Sequence, residues 1–168
     1  MSATNSLHYQ LCLECAKWLR RRKNAERFRT PWKYIAVELV CYAAENTDVW
    51  ATNGECSIVV EVKTSRADFL KDGKKWHRAE TMRDYQSGNY RYFLAPKGLI
   101  KPEDLPSGWG LLEWDGKAIE RVVPSEFRPV TNHADLIILS SILRREGFME
   151  KIYNYRGAPT TIHPKQFA

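Results

Sequence analysis

The heptapeptide Ser57 to Lys63, Ser-Ile-Val-Val-Glu-Val-Lys, constrains this chain more than any other stretch. Ile58, Val59 and Val60 are β-branched and follow one another with no polar residue before Glu61, so the segment reads as a strand buried on both faces. Such a strand is central in its sheet, with cover above and below, which is the arrangement of α/β proteins. The preceding Asn53-Gly54 is a strong hairpin signal and folds a short strand, Asp48 to Thr52, back along it.

The rest of the chain supplies the other layers. Leu7 to Arg22 reads as a helix with Leu7, Leu11, Glu14 and Trp18 on one face. A basic segment then runs to a break at Thr30-Pro31, and Tyr34 to Tyr42 is rich in strand formers. Ser65 and Asp68 resemble a capping box opening a helical stretch, which is interrupted near Asp72-Gly73 and resumes from Lys74 to about Gln86. Asn89 to Ala95 is a strand ended by Pro96, Pro102 to Leu105 a helical turn, and Trp109 to Trp114 and Ala118 to Val123 flank a second hairpin signal at Asp115-Gly116. Asn132 is placed to cap a last helix that runs to about Arg145 and stops at Gly147. The order predicts an α/β fold with a mixed central sheet flanked by helices: one domain over residues 1–150 and an irregular tail over 151–168.

Charge narrows the class of partner. Lys17 to Lys33 carries eight basic residues against Glu26 alone, a net +7 that leaves the remaining 18 basic and 19 acidic residues at −1. The net +6 of the chain is therefore local, and it points to an anionic partner, nucleic acid before a membrane surface, with a solvated helix end as the alternative. No apolar run approaches the roughly 18 residues that span a bilayer, and the polar start does not resemble a secretory signal. Four cysteines in a chain of 168 residues demand no disulfides, so a reduced, cytoplasmic protein is expected. Cys12 and Cys15 form a C-x-x-C without a second ligand pair, and His77, His133 and His163 lack metal-site spacing.

The chemistry gathers at the end of the central strand. Glu61 and Lys63 leave it on the same face, and the hairpin brings Asp48 to the same edge. Two carboxylates suit a hard cation, and a lysine beside them suits the attacking water and the charge that grows on a phosphate. Glu14, on the apolar face of the first helix, is one candidate for a further acid and Glu38 its rival. A cross-strand ion pair is the simpler account of Glu61 and Lys63.

Asp48 followed by Glu61-Val62-Lys63 after a hairpin, behind an acid-bearing helix, resembles the core of the PD-(D/E)-x-K nuclease superfamily, with Thr47 in place of the usual proline. Glu61-Val-Lys-Thr-Ser-Arg-Ala-Asp-Phe69, Asp72, Lys75-Trp76, Tyr92-Phe-Leu-Ala-Pro96 and Gly110-Leu-Leu112 are similar to the MmcB-like group of DNA-repair nucleases, over about Asp48 to Val123. The resemblance implies a restriction-endonuclease-like core, Mg²⁺ (or Mn²⁺) on Asp48, Glu61 and the Val62 carbonyl, Lys63 as catalytic lysine and Glu14 as helical acid. It also implies DNA as substrate. The basic residues Arg20, Arg21, Arg22, Lys23, Arg27 and Arg29, with Ser65, Lys75 and Arg78, are then the contacts to its backbone. Two of these groups have plainer readings: Ser65 and Asp68 as a helix cap, and Lys75, Arg78 and Arg83 as a solvated face. Trp76 and Tyr85 read as packing aromatics. With no sequence-reading module, the expected enzyme is directed by DNA structure or by a protein partner, a homodimer would suit it, and a non-cleaving DNA-binding module of the same fold is the alternative.

Overall fold

Two asparagine- and aspartate-led turns shape the sheet. Asn53 Oδ1 accepts the N–H groups of Glu55 and Cys56 at 2.9 and 3.0 Å, with Gly54 at φ 95° between them. Asp115 Oδ1 does the same for Lys117 and Ala118, both at 2.8 Å. In the computed structural model, which describes residues 6–26, 30–42, 45–72, 86–148, 152–154 and 160–162, these turns lie in a six-stranded mixed sheet whose strands follow one another in chain order. They are β1 (Tyr34–Leu39), β2 (Thr47–Thr52), β3 (Ser57–Val62), β4 (Tyr90–Pro96), β5 (Gly110–Trp114) and β6 (Ile119–Val123). β2 is antiparallel to both β1 and β3, β4 is parallel to both β3 and β5, and β6 returns antiparallel to β5.

Helix α1 (Leu7–Leu19) starts at Ser6, whose hydroxyl accepts the Tyr9 N–H. It buries Leu11, Cys12, Cys15, Trp18 and Leu19 against Val49, Ala51, Ile58, Val60, Val62, Tyr92 and Leu94 on one face of the sheet. The opposite face is covered in two places. Phe69 of α2 (Arg66–Asp72) packs edge-on to Phe93 beside Ala95 and Leu111, and Ile138 of α3 (His133–Arg145) packs with Cys41, Trp50 and Val59. β3 thus has strands on both sides and helices on both faces, as its apolar run predicts.

The boundaries differ in ways that have local causes. α1 ends at Leu19 rather than Arg22, because the Asn24 side chain donates to the Trp18 carbonyl at 2.7 Å and turns the chain through a short 3-10 segment, Arg22–Asn24. Asn132 precedes α3 without a side-chain cap, and α3 is anchored instead through Asp135, which accepts from Trp50 Nε1 and the Ser57 hydroxyl at 2.8 and 2.7 Å. The tail read as irregular contains a two-stranded pair, β7 (Ile152–Asn154) with β8 (Thr160–Ile162), the second strand wholly β-branched in sequence and the two separated by Gly157 and Pro159. The helix expected over Lys74 to Gln86 lies outside the described residues except for Gln86. No helix among the described residues is long and apolar enough to cross a membrane.

One network ties the basic segment to the sheet. Glu26, its single acid, accepts from the buried Tyr92 hydroxyl at 2.9 Å and pairs with Arg121 of β6 at 2.8 Å, and Arg121 also donates to the Asn24 carbonyl. Burial raises the Glu26 carboxyl above its ordinary range, against the opposing pull of Arg121 and Tyr92. Tyr92 can lie there because residue 110 is glycine: a Cβ at Gly110 would run into the Tyr92 ring. Gly110→Ala should therefore lower stability by about 1–3 kcal/mol through overpacking. A lowered urea midpoint at unchanged slope is the expected reading.

Candidate functional site

The register of the sheet sets three acids in one row. β2 and β3 pair Val49 with Val60, so the next position sets Asp48 opposite Glu61. β1 and β2 pair Val37 with Val49 and Leu39 with Thr47, which sets Glu38 opposite Asp48. Asp48 also closes the β2–β3 seam, its Oδ2 accepting the Val62 N–H at 2.7 Å.

Glu61 and Lys63 share a face but have different partners. Burial pushes the Glu61 carboxyl up to about 8; the charge of Asp48 adds to this, and Lys63 and Arg91 only partly offset it. Arg91 is itself held in a fork by Glu45, at 2.9 and 2.8 Å, and lies over the Trp109 ring. Lys63 is 6% exposed. Its ammonium pairs with Asp72 on α2 and stands 4.0 Å from Asp68. Burial favours the neutral amine, but the Asp72 bond and the charges of Asp72, Glu61 and Asp68 outweigh it and raise the Lys63 pKa above its ordinary value.

α1 contributes a residue that its apolar pattern did not single out. Glu14 flanks the buried stripe instead of lying in it, and its carboxylate pairs with Lys17 at 2.7 Å, three residues along the same helix. The residue of α1 that meets the row of acids is His8: its Nε2 is 3.3 Å from Asp48 Oδ2 and its Nδ1 3.4 Å from Glu38 Oε1. Cys12 Sγ lies 3.8 Å from the same Nδ1. The cue was available as a His and a Cys four residues apart on one helix, a spacing hidden behind the more familiar Cys12-x-x-Cys15. Cys12 and Cys15 are buried free thiols; burial, followed by the nearby Asp48 and Glu38 charges, pushes Cys12 up to about 12.

Glu38 is held in an unusual way. It has φ 48°, and strand alternation breaks there: Ile35 and Val37 pack toward the α1 layer, while Ala36 and Leu39, three residues apart, pack together on the other face. The left-handed backbone brings the carboxylate to His8.

The remaining expected contacts separate. Ser65 caps α2, accepting the Asp68 N–H at 3.2 Å. Arg20, Arg21, Arg22 and Lys23 are exposed, but Arg20 donates to the Lys33 carbonyl, next to the Thr52 end of the β2–β3 hairpin. They lie at the C-terminal end of α1, about 18 Å along the helix axis from His8. These four residues therefore stand at the end of α1 away from His8. Arg27, Arg29, Lys75 and Arg78 lie outside the described residues.

No family model matches this chain, nor does any curated protein. Among solved structures it is similar to the SPO1766 protein of unknown function from Silicibacter pomeroyi, at 21% identity and a TM-score of 0.52, over 68% of this chain and 74% of that one. At this identity the likeness speaks for the fold alone, a mixed α/β architecture.

The Lys63–Asp72 pair yields a stability test. Asp72→Ala strands a nearly buried ammonium and should cost about 1–3 kcal/mol, with Asp68 as its remaining neighbour. Lys63→Met, which removes the buried charge itself, should cost less, and the double variant less than the sum of the two. Equal and additive losses in urea unfolding would show the pair to be energetically idle.

Proposed function

We propose that this protein is a Mg²⁺-dependent nuclease that hydrolyses DNA phosphodiester bonds, with a restriction-endonuclease-like core and a substrate such as a branched or repair intermediate. The reading rests on one observation above the others. Asp48 and Glu61 stand opposite one another at the end of the central strand, close enough for the Asp48 charge to raise the Glu61 carboxyl, with Lys63 beside them.

The donor set fits a hard cation. Asp48 and Glu61 offer oxygen ligands, and the elevated proton affinity of Glu61 marks a place short of positive charge. A bound Mg²⁺ would acidify a water and neutralise charge on the phosphate. The side chains do the rest. Asp48 is oriented by the Val62 N–H, so its carboxylate keeps one position at the strand end. Lys63, kept protonated by Asp72, suits stabilisation of the pentacovalent phosphate better than removal of a proton. Arg91, fixed by Glu45 and Trp109, adds a second positive charge behind Glu61.

The mixed sheet flanked by helices agrees with this reading, as does the run from Glu61 to Phe69 described above. The exposed Arg20 to Lys23 cluster would act as a backbone contact remote from the scissile bond, and a homodimer or a directing partner in the cytoplasm fits a domain without a sequence-reading module. A plasmid, a branched junction and a single strand incubated with Mg²⁺ or Mn²⁺ provide the test. Cleavage should be abolished by chelation and by Glu61→Ala, and should fall about 10²–10³-fold in Lys63→Ala, while DNA binding survives. Binding without cleavage under every condition would favour the non-cleaving module, and wild type indistinguishable from Lys63→Ala would remove the nuclease reading.

A further inference from the structure

The structure assigns a further cation site, next to the Asp48–Glu61 oxygen pair but with a different ligand set: His8 Nδ1, Cys12 Sγ and Glu38 Oε1 form a three-ligand site for a borderline-soft divalent ion of the zinc class. The three ligand atoms lie within 4.8 Å of one another, with Nδ1 3.4 Å from Oε1 and 3.8 Å from Sγ. A four-coordinate Zn²⁺, with bonds of about 2.0–2.1 Å to nitrogen and oxygen and 2.3 Å to sulfur, separates its ligands by about 3.3–3.6 Å. The spacings from Nδ1, 3.4 Å to Oε1 and 3.8 Å to Sγ, stand close to those values.

The surroundings are those of a ligating histidine. Asp48 Oδ2 lies 3.3 Å from Nε2, so with an ion on Nδ1 the remaining ring proton on Nε2 would be held by the Asp48 carboxylate. A carboxylate behind a ligating imidazole is the usual way in which its tautomer and direction are set. Sulfur and imidazole donors select against Mg²⁺, which takes oxygen ligands. Access is open from one side: the Glu38 and His8 side chains are 46% and 32% exposed, while Cys12 is buried beneath them. Three protein ligands leave a fourth position for water. On binding, the metal–sulfur bond forms as the Cys12 S–H bond breaks, and the proton passes to solvent. The left-handed backbone at Glu38, an uncommon cost for a residue with a Cβ, is what turns that carboxylate to its two partners.

The test uses the full chain, first stripped with chelator and then titrated with Co²⁺ or Zn²⁺. One equivalent of Co²⁺ should bring a thiolate-to-metal band in the near ultraviolet and the intense visible bands of a four-coordinate ion, and Zn²⁺ should bleach both. Cys12→Ser should abolish the ultraviolet band. His8→Gln, at a half-buried position that leaves the core intact, should weaken Zn²⁺ by more than 100-fold, and Asp48→Asn, acting through His8, by about 10–100-fold. A folded wild-type chain that shows no thiolate band overturns the assignment. So does Zn²⁺ affinity that His8→Gln and Cys12→Ser leave unchanged, or that millimolar Mg²⁺ abolishes. None of these readouts involves DNA, so failure here and failure of the nuclease reading are told apart.

Discussion

β3 loses contact with water along its whole apolar run, and that desolvation governs everything placed at its end. With α1 over one face and α2 and α3 over the other, Ile58, Val59 and Val60 are fully buried. Glu61 and Lys63 continue the same strand into a region where an ionised group needs partners, because burial disfavours charge. Lys63 finds Asp72 and stays charged. Glu61 faces Asp48 and has its proton affinity raised. The same burial has opposite outcomes for two residues two positions apart, decided by the sign of the nearest charge. A site short of positive charge results, on an element that cannot move without exposing the core.

The strand end works as a junction between layers. Asp48 receives the Val62 N–H from β3 and the His8 imidazole from α1, so one carboxylate links the sheet to the helix that covers its other face. Glu38, across from Asp48 on β1, joins the same histidine. A second junction at the far end of α1 does comparable work for the basic segment, where Glu26, Tyr92 and Arg121 fasten the chain to β4 and β6. Each end of α1 is thus tied down by a carboxylate, and the two ends differ in what surrounds that carboxylate.

Much of this was legible in local pattern. The Asn53-Gly54 turn and the Ile58 to Val60 run are short-range signals, and together they place Asp48 opposite Glu61, since a tight hairpin leaves little freedom of register. The Ser65 cap and the Asp115-Gly116 turn were readable for the same reason: the residues that make the bonds lie within three positions of one another. The part of His8 was less legible, because helical periodicity gives an angle around the axis but not which flank of the stripe meets the neighbour: Glu14 pairs with Lys17, and His8 meets Asp48 and Glu38. Arg20 to Lys23 follow Glu14 closely in sequence yet stand beyond the far end of a 13-residue helix from His8, because each helical residue advances the chain along one axis.

What the amino-acid sequence determines by itself is the central strand, its antiparallel partner, the two hairpins, and the meeting of Asp48 with Glu61. All follow from turn chemistry and side-chain alternation, which act over a few residues. Only the tertiary structure decides that His8 and not Glu14 faces the acids, that Glu38 leaves the strand's alternation to reach it, and that the arginines from Arg20 to Arg22 sit at the other end of the helix. The reason is geometric. Those facts depend on how α1 is set across the sheet, and that is chosen by the fit of Leu11, Cys15, Trp18 and Leu19 into a surface assembled from four strands, which no window of local sequence contains.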